Sequence, residues 1–236
     1  MAIDTSSGIL LKLRFKPGTL VEYKVSTRIT QETRKQDEVI GQQSYHWKSK
    51  MTQRVLAEDP DASGHVVTIS EPVGDPETWR ISGVPIQRSV VYTHLSPDGA
   101  IKETSGPDAG AALSLPVDPV QVGDEWTGLS RLSLPGLPAP LEAVTRYRLV
   151  GTQEFAGLSC VKIAVNAEQA EAPLPVEAPG IEASISVKSE GSLFFAPEQG
   201  LLVGQQMRTV ATPKLADATY ESVTELTQEL GRLEGL

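Results

Sequence analysis

The sequence predicts an all-β protein made of two similar antiparallel curved β units, an internal duplication packed as a sandwich or as a half-barrel pair. Three observations predict it. Apolar and polar residues alternate with period two along most of the chain. The breaks between those runs carry hairpin-turn residues, and a weak repeat recurs at a spacing of about one hundred residues.

The alternation begins at Ile9. Leu11, Leu13 and Phe15 alternate with Lys12, Arg14 and Lys16, which in an extended chain puts the apolar set on one face and the cations on the other. Pro17 and Gly18 make a turn. Val21, Tyr23, Val25 and Ile29 continue the period. Next, Tyr45, Trp47, Ser49 and Met51 share one face, with His46, Lys48 and Lys50 on the other. Strand signals follow at residues 65–70, 87–95, 145–150, 159–165, 183–195 and 201–210. Residues 219–227 read as a strand, while Tyr220, Val223, Leu226 and Leu230 also fit a short C-terminal helix. A short helix near 107–113 stays open as well.

Ser96-Pro97-Asp98-Gly99 and Pro197-Glu198-Gln199-Gly200 have the composition of tight turns, with a glycine free to take positive φ. Residues 59–64 and 155–157 read as hairpin loops, and Gly191, Gly200 and Gly204 as hairpin glycines. The proline-rich stretches 132–141 and 172–180 read as loops or edge segments, because proline cannot donate to a strand ladder.

The repeat has three matches in the same order. Residues 16–23 resemble 121–126, a turn glycine ahead of a strand with an aromatic. Residues 55–69 resemble 149–163, and 95–101 resemble 195–202. The units so defined are 9–117 and 118–229, each a curved sheet of roughly five or six strands. Val117-Asp118-Pro119-Val120 is a short connection, so one compact domain is expected. Each curved sheet has an apolar concave face to hide, at about 25 cal/mol per Å² removed from water.

Charge and composition exclude some functions. The chain has 236 residues and a formal net charge of -9. No basic patch answers to phosphate backbones or anionic headgroups, so nucleic acid is not an expected partner. The longest apolar runs fall far short of the roughly 18 residues a spanning helix needs. A single cysteine, Cys160, permits no intrachain disulfide and reads as a small buried apolar residue. The first eight residues have neither the basic nor the apolar region of an export signal. Two compartments stay open: the cytoplasm, or the envelope if a signal has been removed.

No catalytic, cofactor or metal motif is legible. His46, His65 and His94 are the only imidazoles and have no metal-ligand spacing, so a metal site would need ligands brought together by the fold. Gly-x-Ser-x-Gly and the phosphate-binding glycine motifs are absent. Glu58, Asp59 and Asp61 share one loop that does not match an EF-hand and reads as a solvated acidic turn. Trp47 and Trp126 lie in strand patterns and read as core. Trp79 lies in a loop and is the ligand-binding candidate.

Leu13-Arg14-Phe15-Lys16-Pro17-Gly18 followed by a Tyr-bearing strand resembles the opening of a family of uncharacterised bacterial β-rich proteins, often envelope-associated. Residues 157–163 and 190–203 are similar to two further hallmarks of that group. Some of its members are distantly similar to lipoprotein-carrier domains, whose curved sheet holds acyl chains. Residues 1–8 carry no signal-peptide or lipobox-cysteine pattern, a departure from that group which weakens the expectation of an envelope location. The resemblance implies no catalytic residue. The expected function is a non-enzymatic binding or interaction module that holds an apolar small molecule or a protein segment on a concave β surface. The alternatives are a purely structural or assembly-forming β protein and, less favoured, a hydrolase assembled from distant strands.

Overall fold

The computed structural model describes residues 3, 8–35, 38–74, 80–81, 84–105, 113–132, 141–173, 183–215 and 218–235. Thirteen strands follow in chain order: β1 (Leu20–Lys35), β2 (Glu38–Glu58), β3 (Gly64–Val73), β4 (Arg80–Ile81), β5 (Val84–Pro85), β6 (Ser89–Leu95), β7 (Ile101–Ser105), β8 (Glu125–Leu132), β9 (Leu141–Phe155), β10 (Leu158–Pro173), β11 (Ala183–Ala196), β12 (Leu201–Leu215) and β13 (Ala218–Glu234). No helix occurs among the described residues. The C-terminal segment is therefore a strand. It pairs with β1 along its length, with Leu226 across from Thr27 on the inner face and Val223 across from Thr30 on the outer one.

Eleven strands form one antiparallel, unclosed sheet in the order β7-β6-β3-β2-β1-β13-β12-β11-β10-β9-β8, and β4 pairs with β5 apart from it. Five strands come from the first half of the chain and six from the second. The halves do not stack as two sheets. They continue into one, because β1 and β13 pair from Leu20↔Glu234 to Lys35↔Ala218, so each covers an edge the other would expose. From the β8 edge, the sheet runs through the second half in chain order and then the first. Its centre is thus the junction of the first and last strands.

The N-terminal segment departs from the reading that strand structure starts at Ile9. Its alternation is as expected: Leu11 and Phe15 are buried, Lys12 and Lys16 exposed. Yet its described residues touch the sheet's ladders only at the two ends, by an isolated bridge between Ile9 and Val120 and by the bonds of Gly18 and Thr19 to Val55. It crosses the inside of the sheet. Leu13 N donates to Pro97 O (2.7 Å), in the β6–β7 turn, and Arg14 N donates to Gly200 O (3.0 Å), in the β11–β12 turn. On a flat sheet those turns would be roughly 29 Å apart, at about 4.8 Å per strand. Two consecutive residues hold both acceptors within roughly 10 Å. The sheet therefore curls into a half-barrel, and the N-terminal segment spans its interior.

The two turns are built for this approach. A Cβ on Gly99 would lie 2.0 Å from Leu113 O, and one on Gly200 2.4 Å from Arg14 Cγ; both glycines also have positive φ, 86° and 63°. Leu115 N donates to Asp98 O (2.8 Å), so the chain leading to β8 is tied to the same end. Gly191 and Gly204, expected in hairpins, lie inside β11 and β12. A Cβ on Gly191 would meet Gln206 O at 2.1 Å, so that glycine serves close strand packing.

Among the described residues, three clusters make the core. The largest gathers Ile9, Leu11, Tyr147, Leu149, Val161, Ile163, Leu193 and Phe195 with Leu115 and Val120. A second joins Phe15, Val55 and Val66. A third sets Cys160, Phe194, Ala196 and Val203 against Phe155, whose ring stacks on Phe194 at 4.1 Å. Cys160 is thus a buried core residue, and burial pushes its thiol up to about 11. Trp126 packs on Tyr147 at 5.5 Å and donates Nε1–H to Ser114 O (2.8 Å), while Trp47 is half-buried on the inner face of β2.

Candidate functional site

The inner face of the first half does not fill completely. A cavity of about 200 Å³ lies between the N-terminal segment and strands β1, β2, β3, β6 and β7, and reaches β12 and β13. Strand pleat selects its walls. Val21 and Tyr23, Gln53 and Val55, Val66 and Thr68, and Thr93 and Leu95 are alternate residues on four neighbouring strands, so all point inward. Leu13 and Phe15 close it from the N-terminal side. Most of the lining is aliphatic or aromatic.

Polar side chains share the wall: Arg14, Thr19, Gln53, Thr68, Thr93, Gln199 and Gln228. Tyr23, 1% exposed, donates its hydroxyl to Leu202 O (2.7 Å), and burial pushes its phenol well above the ordinary tyrosine range. It is a fixed neutral donor rather than an acid. Gln228, 5% exposed, accepts from Gln205 Nε2 at 2.9 Å. These bonds satisfy groups that burial would otherwise leave costly.

The opposite face of the same strands carries a second constellation. His65 on β3 lies directly across from His94 on β6, with ring centroids 4.3 Å apart and planes 14° from parallel. The β2–β3 loop folds over them. Asp59 Oδ1 lies 3.2 Å from His65 Nε2, and Asp59 Oδ2 lies 3.1 Å from His94 Nε2. Ser63, fully buried, places Oγ 2.9 Å from His94 Nε2 and donates to Asp61 Oδ1 (2.5 Å). Lys102 from β7 donates to Asp61 Oδ2 (2.5 Å), and Tyr92 Oη lies 2.6 Å from His65 Nδ1. The loop is held by Asp59 N donating to Ser63 O (2.8 Å) and by Ala62 at φ 63°.

The trio Ser63, His94 and Asp59 has the composition of a nucleophilic relay but not its geometry. A relay uses one ring nitrogen for the serine and the other for the carboxylate. Here both partners meet Nε2, and a fully buried Ser63 has no path to a substrate.

The Lys102 ammonium, followed by the Ser63 hydroxyl and amide, holds the Asp61 carboxyl far below the usual carboxylate range, and the His65 contact lowers that of Asp59. A carboxyl whose folded pKa lies below its unfolded value of about 3.9 stabilises the fold above that pH and loses the effect as pH falls. Asp61→Asn is therefore expected to flatten the loss of stability below about pH 4. Urea midpoints of the native protein and the variant at pH 7 and at acid pH measure it.

By sequence the three histidines have no metal-ligand spacing, and Asp59 reads as part of a solvated acidic turn. The structure brings His65, His94 and Asp59 together. The legible signal was a histidine in each of two neighbouring strand patterns with an acidic loop just ahead of the first. His46 is apart from them, exposed on β2 and bonded to Ser26. Trp79, the ligand-binding candidate, lies outside the described residues, as do residues 107–112 of the open helix and residues 133–140 and 174–180 of the proline-rich stretches.

No helix among the described residues is long and apolar enough to cross a membrane. Set beside known proteins, the chain matches no protein-family model and no curated sequence.

Proposed function

We propose that the protein is a non-enzymatic binding module whose half-barrel holds an apolar moiety, such as the end of an acyl chain or an apolar side chain of a peptide, in the cavity beside Val55 and Val66. One observation carries this reading: about 200 Å³ of space whose lining is apolar in its larger part, with Val21, Val55, Val66 and Leu95 on neighbouring strands facing Leu13 and Phe15, and with Gln53, Thr68, Thr93 and Gln228 as polar groups among them. Cavities of about 150 Å³ lined by aliphatic and aromatic side chains already accept benzene. Concave, mostly apolar sites with few polar groups are the usual form of a small-molecule pocket. The N-terminal segment supports the peptide version, since Leu11, Leu13 and Phe15 already lie in the half-barrel as the alternate side chains of a bound extended peptide would. The resemblance to carrier-like curved sheets points the same way.

The half-barrel is also read as a product of duplication. The matched turns at 95–101 and 195–202 both receive the N-terminal segment, and the matched turns at 16–23 and 121–126 each precede the first strand of a half.

Native mass spectrometry of the purified full chain is expected to show a bound apolar adduct, or saturable uptake of an added fatty acid. Val66→Trp, which fills the cavity, is expected to reduce that uptake at least tenfold while circular dichroism stays β-type. Bare protein that takes up no fatty acid and no apolar peptide would leave the assembly-forming alternative in its place.

A further inference from the structure

We propose that Asp59, His65 and His94 form a binding site for a divalent first-row transition ion, Zn²⁺ above all, on the outer face of the sheet. The three donor atoms come from different parts of the chain, yet lie within 4.8 Å of one another. In a tetrahedral zinc site, with bonds of about 2.0–2.1 Å, neighbouring donors stand roughly 3.3–3.5 Å apart. Asp59 Oδ1 stands 3.2 Å from His65 Nε2 and Asp59 Oδ2 3.1 Å from His94 Nε2, close to that spacing; because the two imidazoles stack 14° from parallel, one ring turns on binding to aim both nitrogens at one ion. Two imidazoles and one carboxylate are the donor types that zinc and its neighbours favour over calcium or magnesium.

The surroundings fit as well. A metal-bound imidazole carries its remaining proton on the other ring nitrogen and normally donates it to a neighbour. His65 Nδ1 meets Tyr92 Oη at 2.6 Å, an oxygen able to accept that proton when Nε2 holds the ion. Asp61 is already neutralised by Lys102, so Asp59 brings the uncompensated charge. The side chains of His65, His94 and Asp59 are 25%, 16% and 39% exposed, which leaves an approach from solvent. The cavity residues Val66, Thr68, Thr93 and Leu95 sit on the other face of the same strands, so this site stands whether or not the cavity binds a ligand.

Calorimetric titration of the full chain with Zn²⁺ is expected to show one saturable equivalent. His65→Ala, His94→Ala and Asp59→Asn should each weaken it at least tenfold, Tyr92→Phe should weaken it less, and His46→Gln should leave it unchanged. The Co²⁺ form should show the visible absorption of a low-coordinate nitrogen–oxygen site. The native protein supplies a second readout that needs no variant: Zn²⁺ should shift the NMR signals of two of the three histidine rings. Absence of saturable binding, survival of binding in the His65→Ala/His94→Ala variant, or a shift of the His46 ring alone would overturn the assignment.

Discussion

Leu11→Ala is expected to destabilise the protein by about 2–5 kcal/mol, while Lys12→Ala changes stability by no more than about 0.5 kcal/mol. Leu11 has no exposed surface and lies among Tyr147, Leu149, Val161 and Ile163. Removing its side chain loses the transfer free energy of the missing carbons and leaves a cavity that strands β9 and β10 cannot close, since their ladder holds them. Whole domains are stable by only about 5–15 kcal/mol, so the loss is a large share. Lys12, one residue on, is exposed. The contrast tests whether the N-terminal segment belongs to the core. Urea midpoints at unchanged slope measure it. Equal, small effects at both positions would mean that the segment lies loosely on the sheet.

The second large effect is expected at the seam between the chain's two ends. Thr27 sits in β1 between Trp47 of β2 and Leu226 of β13. Thr27→Pro removes a ladder donor, orphans its acceptor and forces a ring into a central strand, at a cost on the order of 3 kcal/mol or more. Because β1 joins the halves, the loss should reach the second half too. In the native protein one cooperative transition is expected. A variant that keeps Trp126 as its only tryptophan should lose fluorescence, reporting on the second half, at the same urea concentration at which circular dichroism reports the whole sheet. In Thr27→Pro both signals should shift together. A transition of residues 118–229 untouched by the substitution would mean two independent domains instead of one continuous sheet.

Much of this architecture is local and was therefore readable. Tyr45, Trp47 and Met51 turn inward while His46, Lys48 and Lys50 turn outward, because successive side chains of any extended chain point to opposite sides. The turns at Gly18, Gly99 and Gly200 were readable because positive φ restricts which residue stands there. The meeting of Asp59, His65 and His94 was not readable. The three residues carry no spacing motif, and only the register that sets His65 across from His94, with a loop folded back over both, gives them a common position.

By itself, then, the sequence determined an all-β chain, its main strands and turns, and which residues of each strand avoid water. The tertiary structure alone decided that the two halves share one half-barrel sheet, that residues 10–17 cross its interior outside its ladder, and that two histidines meet an aspartate on its outer face. The physical reason is that alternation records only whether a side chain is buried. Which strand lies beside it is set by backbone pairing between distant residues, and that pairing uses the same amide and carbonyl groups whatever the side chains are.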